Sequence, residues 1–97
     1  TAMTSVVEQR FGFDVALTKL EEGKRLQRVG WQNLGEFIFL VPPASEKVIA
    51  GDYLSTAFKE GAKIEMNPFI MRCLPPNKCM PWNATHTDLL SKDWRVL

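Results

Sequence analysis

The most informative segment of this chain reads Glu36-Phe37-Ile38-Phe39-Leu40-Val41-Pro42-Pro43. Its aromatic and β-branched side chains are typical of a strand, and their continuous apolar character indicates that a strand over Glu36–Val41 is well buried. Two prolines end the strand, because proline has no N–H to donate to a neighbouring strand. The fold is therefore expected to be built on a sheet that contains this strand.

The segment before this strand predicts a helix and a further strand. Phe13–Glu22 places apolar residues at helical spacing, and it is followed by Gly23, which suits the left-handed position that closes many helices. Lys24–Val29 alternates between two faces with the period of a strand and stops at Gly30. We expect the helix to pack on the sheet.

The segment after the strand predicts short strands. Residues 44–61 are interpreted as a short strand over Lys47–Ile49, a turn, and a short helix over Leu54–Lys59 that a glycine closes. Beyond them, three short apolar segments separated by proline-containing turns predict an antiparallel meander. These segments are Lys63–Met66, Phe69–Leu74 and Cys79–Trp82.

The C-terminal segment predicts a helical turn and a last strand. Thr87 is expected to cap the turn, with Asp88 favourably placed just after it, and Trp94–Leu97 is expected to form the strand. In this order the elements predict an α+β domain. It consists of an antiparallel sheet of about five strands with one or two short helices packed on it.

Length and composition indicate one globular domain. The chain has 97 residues, of which 45% are hydrophobic and 24% charged, enough for one core and too few for two ordinary domains. Residues 1–10 are expected to be an N-terminal extension, in part a remnant of the expression vector, and residues 11–97 the domain. No apolar run approaches the roughly 20 residues that cross a bilayer, and no signal peptide is evident. A cytoplasmic location is therefore expected.

The charge balance argues against binding to a nucleic acid polymer. Twelve Lys and Arg residues stand against eleven Asp and Glu, and neither sign forms a long block. Non-specific binding to DNA or RNA needs an excess of cations along many phosphates. A ligand with one or two phosphates remains compatible with this composition, because two well-placed cations satisfy it.

An inventory of reactive side chains argues against catalysis. His86 is the only histidine, and neither cysteine lies in a recognisable nucleophile motif. Cys73 and Cys79 flank a turn that could bring them together, but a reducing cytosol favours free thiols over a disulfide. The cysteine and histidine spacings do not match a zinc site, and no phosphate-binding glycine motif is present. We expect no enzyme activity, no metal and no cofactor.

Two predicted turns concentrate aromatic, cationic and small polar residues that suit a nucleotide ligand. Aromatic rings can stack on a base, and hydroxyl, amide and carboxylate groups can recognise ribose and base edges. Tryptophans in a small domain are more often core residues, so packing is the more common role for these side chains. The first cluster is Arg28, Trp31, Gln32 and Asn33, and the second is Trp82, Asn83, Thr85, His86, Thr87 and Asp88.

Several motifs together resemble one known family. They include RVGWQ at residues 28–32, FIFLVP at residues 37–42 and, above all, PWNATHTDLLSKDW at residues 81–94. From residue 11 to residue 97 the chain resembles the phage-encoded Thoeris anti-defence proteins of the second type. Some positions depart from the family pattern: Gln32 replaces a common Asn, and Phe69 and Met71 replace a His and an Asp, which bears on ligand identity.

The resemblance implies that the chain is a sponge for an immune signal. Members of this family hold cyclic ADP-ribose-type signals, here expected to be glycocyclic ADP-ribose, without cleaving them, in the cytoplasm of the infected bacterial host. The resemblance also implies a homotetramer built as a dimer of dimers, with pockets where protomers meet. It extends the expected ligands to the cyclic dinucleotides of the related CBASS defence.

Eight residues are the expected ligand contacts. They combine aromatic rings for stacking, polar groups for hydrogen bonds and one cation, Arg28, for a phosphate. They are Arg28, Trp31, Gln32, Phe37, Trp82, Thr85, Thr87 and Asp88. Two other functions remain open on the sequence: an interaction module that blocks a host protein through its aromatic surface, and a hydrolase of the signal.

Overall fold

The computed structural model describes residues 9–33 and 35–97. The expected N-terminal extension over residues 1–10 therefore lies almost wholly outside the described residues. In the described part of the chain, every helix falls short of the length and apolar character needed to cross a bilayer.

The described chain forms two α-helices, one 3-10 helix and seven strands. In chain order these are α1 (Phe13–Glu21), β1 (Leu26–Arg28), β2 (Phe37–Val41), β3 (Ala44–Lys47), the 3-10 helix (Tyr53–Thr56), β4 (Lys63–Met66), β5 (Phe69–Leu74), β6 (Lys78–Pro81), α2 (His86–Leu90) and β7 (Trp94–Val96). The predicted helix and most predicted strands are confirmed to within one or two residues. Gly23 has a φ of 86°, which only glycine adopts readily, and this explains why α1 ends there.

Five strands form one antiparallel sheet in the order β6-β5-β2-β1-β7. β2 lies at its centre and pairs with β5 along its whole length, from Phe37 opposite Cys73 to Val41 opposite Phe69. This central position suits the most apolar strand of the chain, because a central strand is shielded on both edges. The predicted α+β class, with a five-stranded antiparallel sheet and two short helices, is confirmed.

Helix α1 covers one face of the sheet and completes the core. The side chains that meet there are fully buried, because alternate residues of β1 and β2 point toward the helix. They are Ala16, Leu20, Leu26, Ile38 and Trp94. The intervening residues of β2 and β5 point to the opposite side, which we call the far face; it comprises Phe37, Phe39, Val41, Phe69 and Met71.

β3 and β4 form a separate two-stranded ribbon within an excursion between β2 and β5. We call residues 42–68, which include this ribbon, the arm. The predicted pairing of β4 with β5 in a meander is wrong, since β4 pairs with β3 and β5 pairs with β2. The physical reason is that β4 alternates charged and apolar residues and suits a ribbon exposed to water, whereas the apolar β5 is stabilised against β2. The predicted strand at Lys47–Ile49 lies slightly earlier, at Ala44–Lys47.

The two cysteines are joined by a disulfide, so the expectation of free thiols is wrong. Cys73 of β5 and Cys79 of β6 lie directly opposite each other, with their Cα atoms 4.1 Å apart. Such close approach is typical of a non-hydrogen-bonded pair in an antiparallel hairpin, where side chains meet. The register of the β5–β6 hairpin thus brings the two cysteines together.

Candidate ligand-binding site

A cleft of about 280 Å³ lies where the β1–β2 turn, β5 and the β6–α2 connection meet. Its walls carry two tryptophans, one arginine, two carboxylates and four smaller polar side chains. The lining residues are Trp31, Gln32, Asn33, Glu36, Arg72, Trp82, Asn83, Thr85 and Asp88. The two clusters that the sequence placed on separate turns are therefore brought together.

The tryptophans of the cleft are held in place by the core behind them. The rings of Trp31 and Trp82 pack edge-on against buried Trp94, with centroids 5.3 and 5.9 Å away. Phe13 of α1 adds a further ring contact to Trp82 at 5.9 Å. Edge-to-face packing of this kind fixes ring orientation while leaving other ring surface open to the cleft. The core and ligand roles of these tryptophans are therefore compatible.

Asp88 is positioned by the start of α2. Thr85 caps the helix: its Oγ1 accepts a hydrogen bond from the Asp88 N–H, and the Thr85 N–H donates to Asp88 Oδ2 at 3.0 Å. This is a capping box, which satisfies two backbone donors at once. The predicted cap at Thr87 is wrong, because the helix begins at His86, two residues earlier than the sequence pattern indicated.

Arg28 lies behind the cleft in a bridge between two carboxylates. Its Nη1 donates to Asp88 Oδ1 at 2.9 Å and its Nε donates to Asp93 Oδ1 at 3.0 Å. Asp93 also accepts from the Gly30 N–H at 2.8 Å, and Asp88 accepts a longer bond of 3.4 Å from Trp31 Nε1. The bridge thus ties β1, the β1–β2 turn and the C-terminal segment into one unit.

These contacts keep both carboxylates ionised. Burial disfavours the charged form of Asp88, but hydrogen bonds from Thr85 and Arg28 outweigh it, so the pKa of Asp88 is lowered. The pKa of Asp93 is lowered in the same way, with burial again outweighed by the hydrogen bond from Arg28. Burial also disfavours the charged form of Arg28, yet its two carboxylate partners raise its pKa.

A second ion pair, Glu36 with Arg72, lies on the other side of the cleft. Arg72 Nε lies 2.5 Å from Glu36 Oε2, and the Glu36 side chain is only 5% exposed while that of Arg72 is 36% exposed. The angle of this contact is not that of a hydrogen bond, so the attraction is mainly coulombic. Glu36 also accepts a long bond of 3.5 Å from Asn33 Nδ2. The cleft therefore presents one partly exposed cation.

The structure brings together most of the predicted contacts but not all of them. Those that line the cleft are Trp31, Gln32, Trp82, Thr85 and Asp88. Arg28 lies behind Asp88, and Phe37 lies on the far face, where the Arg25 guanidinium is 5.2 Å from its ring centre. Thr87 is exposed on α2 and does not line the cleft.

Sequence reasoning missed Glu36 and Arg72 as cleft residues. Arg72 is the only charged residue within the apolar strand Phe69–Leu74, and that isolation was a usable signal. The described residues contain no group of three or more His, Cys, Asp or Glu side chains that could hold a metal ion. The chemistry that this cleft offers is therefore stacking, hydrogen bonding and one charge contact.

Comparisons with known proteins agree with the family resemblance of the sequence motifs. The profile of the Tad2-like family, described as the Thoeris anti-defense 2-like domain, matches residues 11–97. A protein named Thoeris anti-defense 2, from Bacillus phage SP01, is 29% identical over 94 residues, covering 94% of this chain and 99% of that protein. The matched range contains every strand, both helices and all the residues of the cleft. The chain therefore belongs to the Thoeris anti-defense 2-like family.

Proposed function

We propose that this chain binds a cyclic ADP-ribose-type immune signal, glycocyclic ADP-ribose, and holds it without cleaving it. Family membership supports an anti-defence role against Thoeris. Sequestration of the signal inside the infected cell deprives the defence effector of its activator. Such a role needs affinity and an excess of binding sites over signal, and it needs no reaction.

The observation that carries this proposal is the pairing of two fixed tryptophan rings with polar groups in one cleft. Trp31 and Trp82 lie in the same cleft as Asn83, Thr85 and Asp88. A nucleobase gains about 1–3 kcal/mol from stacking on an aromatic ring, and carboxylate and amide groups recognise ribose hydroxyls and base edges. The cleft therefore has the chemistry of a nucleoside site.

The state of the reactive residues supports binding without cleavage. Cys73 and Cys79 lie on the β5–β6 hairpin and do not line the cleft. Asp88 is ionised, but its oxygens already accept hydrogen bonds from the protein, which weakens it as a base. His86 is exposed at the start of α2 and does not line the cleft.

The size of the cleft supports self-association, and we propose the homotetramer that the family resemblance implies. About 280 Å³ is just below the roughly 300–1,000 Å³ of pockets that enclose drug-sized ligands. A cyclic ADP-ribose carries a base, two sugars and two phosphates, so one such cleft covers only part of it. A second copy of the chain completes the enclosure in this proposal.

Isothermal titration with glycocyclic ADP-ribose tests the proposal directly. We expect saturable heat and recovery of intact ligand when the protein is denatured afterwards and the supernatant is chromatographed. Degraded ligand would identify a hydrolase instead. The absence of heat with every cyclic ADP-ribose isomer and cyclic dinucleotide would favour an interaction module that blocks a host protein. The cyclic dinucleotide titrations also test the extension to CBASS signals.

A further inference from the structure

We propose that Arg72 is the residue that holds a phosphate of the bound signal, with Glu36 as the side chain that positions it. This inference rests on the proposed function, because it assigns a role within the same cleft. It differs from the sequence-based expectation, in which Arg28 contacts the phosphate.

Arg28 is already engaged by two carboxylates of the protein. Two nitrogens of its guanidinium donate to Asp88 and Asp93 at 2.9 and 3.0 Å, and its side chain is only 15% exposed. To reach a ligand, Arg28 would have to leave two partly buried carboxylates. Leaving these charges unpaired is unfavourable, and a phosphate contact would only replace interactions that Arg28 already makes. Arg28 is therefore a structural bridge.

Arg72, in contrast, has fewer partners within the protein and is more exposed. Among residues 9–33 and 35–97, Arg72 has one carboxylate partner, Glu36, where Arg28 has two. Its side chain is 36% exposed and lines the cleft, whereas the Glu36 carboxylate beside it is nearly buried. Arg72 therefore keeps guanidinium donors that no second carboxylate among the described residues occupies.

The backbone of Arg72 is held in place by the sheet. Arg72 lies within β5, paired with Ile38 of β2 on one side and with Met80 of β6 on the other. A side chain that starts from the middle of a sheet has a fixed origin, and the charge of Glu36 restricts it further. The Glu36 contact lies at Nε, which leaves the terminal nitrogens of the guanidinium available for a phosphate.

Arg72 also lies in the same cleft as the two tryptophans that can stack on a base. Arg72 and the rings of Trp31 and Trp82 line one cleft. A base on the tryptophans and a phosphate at Arg72 therefore fit a single ligand that contains both groups. A planar guanidinium can also bind a phosphate through two parallel hydrogen bonds, which a lysine cannot do.

The experiment compares three variants by titration with glycocyclic ADP-ribose at low and high salt. Arg72→Gln removes the charge, Arg72→Lys keeps a cation beside Glu36 but loses the planar fork, and Lys63→Gln removes one charge from the exposed arm as a control. We expect Arg72→Gln to weaken binding about ten- to a hundredfold, the usual range for a lost hydrogen bond to a charged group. Arg72→Lys should lie between Arg72→Gln and the unmodified protein, and Lys63→Gln should match the unmodified protein.

Salt dependence separates a phosphate contact from a structural role. Screening weakens a contact between charges, so the affinity gap between the unmodified protein and Arg72→Gln should narrow at high salt. A gap that is the same at both salt concentrations, or equal affinities of Arg72→Gln and the unmodified protein, would overturn the inference and leave the proposed function standing. If the unmodified protein binds no cyclic ADP-ribose isomer, both fail together. Melting temperatures of all variants, with Arg72→Lys as the less disruptive change, identify any loss of fold.

Discussion

At the residue scale, Arg28 shows why the partners of a side chain cannot always be predicted from the sequence. The sequence puts Arg28 beside the turn that carries Trp31, and that much is confirmed by the structure. Its hydrogen-bond partners, Asp88 and Asp93, lie 60 and 65 residues further along the chain. No local pattern reports contacts over such separations, so the ionic bridge could not be predicted.

The bridge predicts a large loss of stability for Arg28→Met. The change leaves two partly buried carboxylates without their cation, and breaking a buried pair typically costs about 3–5 kcal/mol. Because Asp93 is 28% exposed, we expect a loss below that range, about 2–3 kcal/mol after screening. Urea unfolding measures the loss. Lys24→Met removes an exposed cation just before β1 as a control, and equal stability of the two variants would contradict the role of the bridge.

The same carboxylates predict a pH dependence of stability. The pKa values of Asp88 and Asp93 are lower in the folded chain than the ordinary value of 3.8, so the unfolded chain binds more protons in the window just below 3.8. Stability should therefore rise with pH through that window. The contribution of the two carboxylates is fully present above pH 3.8 and is lost as the pH falls through their folded pKa values. Urea unfolding between about pH 2.5 and pH 6 measures this. Arg28→Met should show a flatter curve, whereas parallel curves would show that the bridge does not lower these pKa values.

At the scale of elements, the capping of α2 makes a prediction with a control inside the same helix. Thr85→Ala removes the cap hydrogen bond to the Asp88 N–H and should cost about 1 kcal/mol of unfolding free energy. Thr87→Ala, two residues later in an exposed position, should change stability by less than about 0.5 kcal/mol. Thermal and urea unfolding of the two variants are the measurements. A larger loss of unfolding free energy in Thr87→Ala than in Thr85→Ala would indicate that Thr87 is the cap, as the sequence pattern predicted.

Helices and strands could be predicted where a local sequence pattern defines them, but the pairing of strands could not, because it depends on distant segments of the chain. Helix α1 carries helical spacing and a closing glycine, and β2 carries a continuous apolar run before two prolines, so both could be located from the sequence. The pairing of β4 with β3 could not, because it depends on which distant strand offers the better partner. For the same reason Arg72 was missed at the site: its position in the cleft follows from the β5–β2 register, which places it beside Glu36.

At the scale of the whole molecule, the two faces of the five-stranded sheet are covered unequally. Helix α1 packs on one face, and the far face carries a row of half-exposed apolar side chains from β2 and β5. Phe69 is 40% exposed there. A contiguous apolar patch on a small domain commonly marks a protein contact, and the proposed homotetramer needs at least two such surfaces. The far face offers aromatic and aliphatic side chains, which are residue types that such a contact uses.

The far face therefore predicts that one charge can shift the assembly toward smaller species. Phe69→Lys places a cation within an apolar interface, where an unpaired charge is costly to bury, but leaves it exposed and tolerated in the single chain. By light scattering behind a sizing column, we expect the unmodified protein at four times 11.0 kDa and Phe69→Lys at a smaller multiple. Thr18→Lys, on the exposed side of α1, introduces the same charge as a control and should leave the mass unchanged. If Phe69→Lys retains the mass of the unmodified protein, the far face is not the contact. If the unmodified protein is itself monomeric at high concentration, the proposed enclosure of the signal between two copies fails with it.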